Sequence, residues 1–216
     1  MILKIHKNSY YKGVFTMPKK VISIIGTYRK GKTIDNLVER AIEGLKSKSE
    51  NISVEKLYLA DYNIQYCKNC MICRNDSTST DYAKCVITDD MQKIYPKIFE
   101  ADSFIFATPI NMGTVTAVMK TFLERCCWVF AKPGNKPLKG CPRPRTRIKK
   151  NAIIILSTGL VPPIFRKLCD DATTLIKSFC KSMLNVKVNG TLYAGAVEKR
   201  KENYYNKKAF KLGMKL

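Results

Sequence analysis

Residues Gly26-Thr27-Tyr28-Arg29-Lys30-Gly31-Lys32-Thr33 fit the phosphate-loop pattern G-x-x-x-x-G-K-[ST] letter for letter. Such a loop does chemistry when a strand precedes it and a helix follows, because orphan N–H groups and the helix dipole then converge on an anion. The pattern predicts a bound phosphate and leaves open whether it belongs to a nucleoside triphosphate or to another molecule; the plainer alternative is a merely basic βα turn. A second constellation is Cys67-x2-Cys70-x2-Cys73, with Cys85 further on. Three thiolates at that spacing can wrap one face of an iron–sulfur cubane and Cys85 could complete it; the same four thiols also suit zinc, or no metal. Cys126, Cys127, Cys141, Cys169 and Cys180 lack metal spacing and read as small buried hydrophobes.

The elements that must position these residues alternate along the chain. Val21 to Ile25 is apolar and β-branched, as a buried parallel strand should be, and Leu37, Val38, Ala41, Ile42 and Leu45 recur at helical spacing after it. Further strands are expected over Val54–Leu59, Ser103–Ala107, Ala152–Leu156 and Val186–Tyr193. Helices are expected over Met91–Phe99, entered by Asp89 and Asp90 and shortened or bent by Pro96, over Val115–Val129, and over Phe165–Leu184 as one piece. This alternation predicts an α/β fold, a doubly wound five-stranded parallel sheet with helices on both faces. Ligands of such sheets sit at the carboxyl ends of the strands, which singles out the loop at Gly26–Thr33, Thr108-Pro109-Ile110-Asn111-Met112-Gly113, and Ser157-Thr158-Gly159.

Composition narrows the classes. The chain has 216 residues, 45% of them hydrophobic, enough for one well-buried domain. No apolar run is long enough to span a bilayer, and the N-terminus lacks a signal-like apolar core, so a cytoplasmic protein is expected, with its nine cysteines reduced. The net charge of +22 is concentrated: residues 1–20 hold five cations, 132–150 hold eight, and 196–216 hold a net five, which makes 18 of the 22. These read as solvated surfaces; no nucleic-acid-binding module accompanies them, which disfavours nucleic acid as a partner. The expected organisation is an N-terminal extension over 1–17, dispensable for folding, a domain over 18–195, and a basic C-terminal tail over 196–216. The only histidine, His6, lies in that extension, so Ser-His and Cys-His nucleophilic machinery has no base to draw on.

Four motifs in order carry a family resemblance: the Gly26–Thr33 loop, the "CKNCMIC" run, "CVITDDM" from Cys85, and "ADSFIFATPINMGTVTAVMKTFLER" from Ala101 to Arg125. Together they resemble the flavodoxin-fold NAD(P)H-dependent FMN reductases and the related iron–sulfur flavoproteins, over most of the chain from Pro18 to about Gly195. The resemblance implies that Thr27, Arg29, Lys30, Gly31, Lys32 and Thr33 hold the phosphate of FMN. It also implies that Thr108 to Gly113 wrap the edge of its ring system and that Ser157 to Gly159 serve the ring's other side. It implies an oxidoreductase that takes electrons from NAD(P)H and passes them to a flavin, a quinone or another small acceptor, working as a homo-oligomer, dimer or tetramer. It further implies a [4Fe–4S] cluster on Cys67, Cys70, Cys73 and Cys85, although Cys73 and Cys85 stand further apart than is typical of the iron–sulfur flavoproteins. The alternatives are an electron carrier on the same fold and a P-loop NTPase. The NTPase needs an acidic residue at a strand end to hold magnesium; the third and fourth strands end in Thr108 and Ser157, leaving Asp61 as the one weak candidate.

Overall fold

In the computed structural model, which describes residues 18–134 and 140–216, five strands pair in parallel in the order Ile52–Tyr58, Lys19–Ile25, Ser103–Asn111, Lys150–Ser157 and Val186–Ala194. In chain order the elements are β1 (Lys19–Ile25), α1 (Thr33–Lys46), β2 (Ile52–Tyr58), α2 (Ile72–Asn75), α3 (Met91–Glu100), β3 (Ser103–Asn111), β4 (Thr114–Val115) and α4 (Ala117–Phe130). They continue with β5 (Ala131–Pro133), β6 (Pro142–Pro144), β7 (Lys150–Ser157), α5 (Arg166–Cys169), α6 (Asp171–Leu184), β8 (Val186–Ala194) and α7 (Asn206–Gly213). β4 pairs antiparallel with the end of β3, and β5 with β6. The strand order reverses between β1 and β3, and the loops that follow these two strands flank the crevice where such sheets bind ligands. The N-terminal extension over 1–17 lies outside the described residues, as do residues 135–139 of the basic loop.

The central strands are apolar on both faces because both faces are covered. Ile22, Ile24, Phe104, Phe106, Ile154 and Leu156 pack with α3, α4 and α6, while Val21, Ile25, Ile105, Ala107, Ile153 and Ile155 pack with α1 and α7. Alternation within each strand is thus between two cores, and the run reads as continuous hydrophobicity.

Two expectations change. The stretch 196–216 is not a loose tail: α7 buries Ala209 and Leu212, with Tyr205 just before it, and completes the second core. Its backbone meets α1 so closely that a Cβ on Gly44 would lie 2.0 Å from the Phe210 carbonyl oxygen, and one on Gly213 would lie 1.8 Å from that of Ala41. The lysines of this stretch sit on the outside of a packed helix. Next, the single helix expected over Phe165–Leu184 breaks at Asp170, whose carboxylate accepts from the Thr173 N–H at 2.8 Å and the Thr173 hydroxyl at 2.7 Å, capping α6. The helix expected over Met91–Phe99 is present as α3, with Pro96 inside it.

Candidate functional site

The loop after β1 is held in shape from within. The Thr27 hydroxyl accepts from the Arg29 N–H at 3.2 Å, and the Asp35 carboxylate accepts from the Gly31 N–H at 2.7 Å and from the Tyr58 hydroxyl at 2.6 Å. Gly31 has φ +67°, the left-handed conformation glycine adopts without strain. Its N–H serves the scaffold. Beyond it the 14-residue α1 begins at Thr33, and Lys32 at its N-cap makes no side-chain capping hydrogen bond, which leaves N–H groups of the first turn available to an anion. The side chains of Arg29 and Lys32 are exposed and, among the described residues, neither joins an ion pair. Lys30 turns the other way: its Nζ lies 2.5 Å from Asp61 and 4.8 Å from the centre of the Tyr58 ring.

A hydroxyl network fixes this loop against the next. Thr116 caps α4 by accepting from the Met119 N–H, donates to the Gly26 carbonyl at 2.7 Å, and lies 3.3 Å from the hydroxyl of Thr108. A Cβ on Gly26 would fall 2.9 Å from that of Met119. Thr108 is fully buried and points into this network. Past Asn111 the chain reverses through Met112 (φ +49°) and Gly113 (φ +78°), a two-residue hairpin that pairs Asn111 with Thr114. Met112 is completely exposed at its tip. On the far side, Thr158 donates its hydroxyl to the Val161 carbonyl at 2.8 Å and shapes its own turn.

What remains is an open cleft of 790 Å³ at the carboxyl end of the sheet, large enough for a mononucleotide-sized ligand. Of the residues singled out in the sequence, Thr27, Arg29, Lys32, Thr33, Pro109, Ile110, Asn111, Ser157 and Gly159 line it. Lys30, Gly31, Thr108, Met112, Gly113 and Thr158 do not; they support or border it. Tyr28, Ile34, Val197 and Glu198 line it too and were missed. Tyr28 is held beside the cleft by its hydroxyl, which accepts from the Val118 N–H at 3.2 Å, and Glu198 fills the space where Gly159 has no side chain. Tyr28 lay in plain sight within the loop; Val197 and Glu198 lay in the stretch read as tail.

A family model described as NADPH-dependent FMN reductase matches residues 19–156, which spans this loop and the three strands around it. The chain belongs to that family. As a member of the FMN reductase family it is also 32% identical over 106 residues to an iron–sulfur flavoprotein of Methanosarcina thermophila, a match over 49% of this chain and 51% of that one. It therefore spans about half the length of the curated relatives it matches. Solved structures similar in fold include an NAD(P)H:quinone oxidoreductase from Methanothermobacter marburgensis, with 16% identity, TM-score 0.63 and coverage of 91% and 96% of the two chains. Another is an FMN-dependent NADH-azoreductase from Bacillus anthracis str. Ames Ancestor in complex with FMN, with 12% identity, TM-score 0.62 and coverage of 92% and 96%.

The cysteine stretch of this FMN reductase family member forms a separate, smaller pocket. Cys67, Cys70, Cys73 and Cys85 line it against Arg125 and Trp128 of α4. Burial, and then the neighbouring thiols of Cys85, Cys67 and Cys70, push the Cys73 thiol above its ordinary value. Asn69 and Met71 take left-handed backbone conformations that fold the run back on itself. Yet among the described residues no three His, Cys, Asp or Glu side chains are grouped so as to hold an ion.

Two buried arginines hold that stretch. Arg145 of the basic loop donates to the carbonyls of Cys73 and Asp76, each at 2.8 Å, and of Ser79 at 3.1 Å. Arg125 donates to the Gln65 carbonyl at 2.8 Å and forms a fully buried ion pair with Asp89. Tyr82 packs its ring against Tyr95, Phe99 and Phe130. The polar run Arg74–Lys84 is thus held by protein groups. Asp89 and Asp90 do more than start a helix: Asp89 accepts from the Met91 N–H at 3.0 Å while pairing Arg125, and Asp90 accepts from the Asn63 N–H at 2.8 Å. Among the described residues, no helix is long and apolar enough to cross a membrane.

Proposed function

We propose that the protein is an FMN-dependent oxidoreductase that takes reducing equivalents from NAD(P)H and delivers them to a flavin, a quinone or another small acceptor. The observation that carries this reading is the joining of the uncapped α1 terminus, flanked by unpaired Arg29 and Lys32, to a cleft bounded by the β3 and β7 loops. The donor set fits a flavin mononucleotide. Backbone N–H groups of the first turn and the hydroxyls of Thr27 and Thr33 would hold its phosphate, with Arg29 and Lys32 balancing the charge. Pro109, Ile110 and Asn111 would bound the ring on one side and Ser157 and Gly159 on the other, while Tyr28 adds an aromatic side chain to the lining. When bound, the flavin supplies hydride acceptance and onward electron transfer. The side chains position it and exclude water from one side. The NTPase alternative loses support because Asp61, its one candidate for magnesium, is already paired with Lys30.

The purified protein should be yellow, and anaerobic mixing with NADPH or NADH should bleach it. A flavin-loaded protein that neither donor reduces would make it an electron carrier. The four thiols in one pocket favour a second reading, in which an iron–sulfur cluster relays electrons one at a time; equal, stoichiometric iron and sulfide after anaerobic purification would establish it, and their absence leaves a simple flavin reductase. Assembly as a dimer or tetramer is in keeping with the exposed apolar side chains of Met112, Leu160, Ile164 and Leu168 around the cleft mouth.

A further inference from the structure

Among the residues that line the 790 Å³ cleft, Glu198 supplies the single carboxylate. Its backbone is zipped to the loop after β7. The N–H groups of Ala196, Val197 and Glu198 donate to the carbonyls of Val161, Thr158 and Gly159 at 3.0, 3.1 and 3.1 Å. Tyr205 secures the same turn by donating its hydroxyl to the Gly195 carbonyl at 2.7 Å. The Glu198 side chain then lies across Gly159, where a Cβ would fall 2.4 Å from its Oε1 and 3.0 Å from its carboxyl carbon. Gly159 is not one of the left-handed glycines Gly31, Gly113 and Gly140, so it makes room for the carboxylate rather than for a turn.

Glu198 is exposed and, among the described residues, forms no ion pair, not even with Arg29 or Lys32 of the same cleft. The cations stand at the start of α1 and the carboxylate at the loop after β7, so the two loops lend the cleft opposite charges. A phosphate beside Glu198 would be repelled, whereas a carboxylate accepts readily from N–H and O–H groups. In a flavin those donors are the ribityl hydroxyls and the ring N–H. Hydride taken from NAD(P)H also carries a negative charge into the ring. A carboxylate within a few ångströms disfavours that charge wherever the ligand keeps bulk water away.

We propose that Glu198, seated over Gly159, contacts the ring end of the bound FMN and that its charge lowers the reduction potential of the cofactor. The flavin is thereby poised to release electrons to an acceptor rather than to retain them. The proposal rests on the reading of the cleft as a flavin site. Spectroelectrochemical titration of the flavin-loaded protein, with calorimetric titration of the apoprotein by FMN, tests it on three variants. Glu198→Gln keeps the shape and removes the charge. Oxidised FMN should bind within about threefold of the wild type, while reduced FMN gains about tenfold over oxidised, a rise of about 30 mV for a two-electron couple. Glu198→Asp keeps the charge and should stay closer in potential to the wild type than to Glu198→Gln. Gly159→Ala leaves the charge but puts a methyl where the carboxylate lies, so it should shift the potential the same way by less. An unchanged potential in Glu198→Gln, or the same shift in both Glu198 variants, would overturn the role. Equal weakening of oxidised and reduced FMN would place the carboxylate at the ribityl chain and also refute it. A wild type that yields no bound flavin to titrate would instead bring down the reading of the cleft, and this role with it.

Discussion

The phosphate loop and the cysteine loop are both irregular segments carrying reactive groups, and they are braced in opposite ways. Around Gly26–Thr33 the bracing groups are hydroxyls and one carboxylate: Thr27, Thr116, Tyr58 and Asp35. Arg29 and Lys32 are left facing the cleft. Around Cys67–Cys85 the bracing groups are the cations themselves, Arg125 and Arg145, spent on backbone carbonyls and on Asp89. A positive charge used as scaffold is not available to a ligand, so Arg125 and Arg145 cannot do for an anion what Arg29 and Lys32 can. The second presents thiols in a place already ordered.

Removing the cysteine loop's ion pair should have the largest effect. Arg125→Ala strands the Asp89 carboxylate in the interior and should cost about 3–5 kcal/mol, read as a lowered urea midpoint. Burial pushes the Asp89 carboxyl up, but the Arg125 guanidinium and the N–H groups of Gln65 and Met91 outweigh it and hold it below its usual 3.8. A depressed carboxyl contributes stability that is present above its unfolded pKa and lost as the pH falls through the folded one. Asp89→Asn should therefore flatten the dependence of stability on pH below about 4. A steep acid limb in that variant would mean the pair is not what couples this loop to pH.

Arg145→Ala separates the two loops more cleanly. The carbonyls of Cys73, Asp76, Ser79 and Trp128 lose their donor, so a loss of about 2–3 kcal/mol is expected, with faster amide exchange centred on residues 73–83. Flavin affinity should stay within about twofold. Equal damage to flavin binding would show that the loops are one unit. Gly26→Ala is the converse: its methyl meets Met119, costing about 1–3 kcal/mol, and flavin binding should fall with it because the β1 loop must shift. The smallest change is Tyr58→Phe, which removes one hydrogen bond to Asp35 and should cost about 1 kcal/mol, with a few-fold weaker flavin affinity measured by titration.

How far the sequence could be read follows the range of each interaction. The strands were legible because their two-sided burial makes continuous apolar runs, and the phosphate loop because its spacing is local. The ion pair of the Lys30 side chain was not legible, because its partner, Asp61, lies 31 residues away and nothing local announces the pairing. Thr108 and Thr158 looked like ligands from their place at strand ends, yet their hydroxyls turn inward to Thr116 and Val161. The boundary at residue 195 was misread because seven cations mask the spacing of Tyr205, Ala209 and Leu212, which is that of a helix with one buried face. Asp170 carried a local cap signal that was passed over inside a longer helical pattern.

Competition between FMN and ATP for the Gly26–Thr33 loop tests the central claim most directly. The apoprotein is titrated with FMN in the presence and absence of excess Mg-ATP, for the wild type and for Arg29→Ala/Thr33→Ala. The account predicts saturable binding of one FMN per chain, unaffected by ATP and weakened at least about tenfold in the double variant. An apoprotein that ignores FMN but binds and hydrolyses ATP, or a double variant that holds FMN as tightly as the wild type, would contradict it.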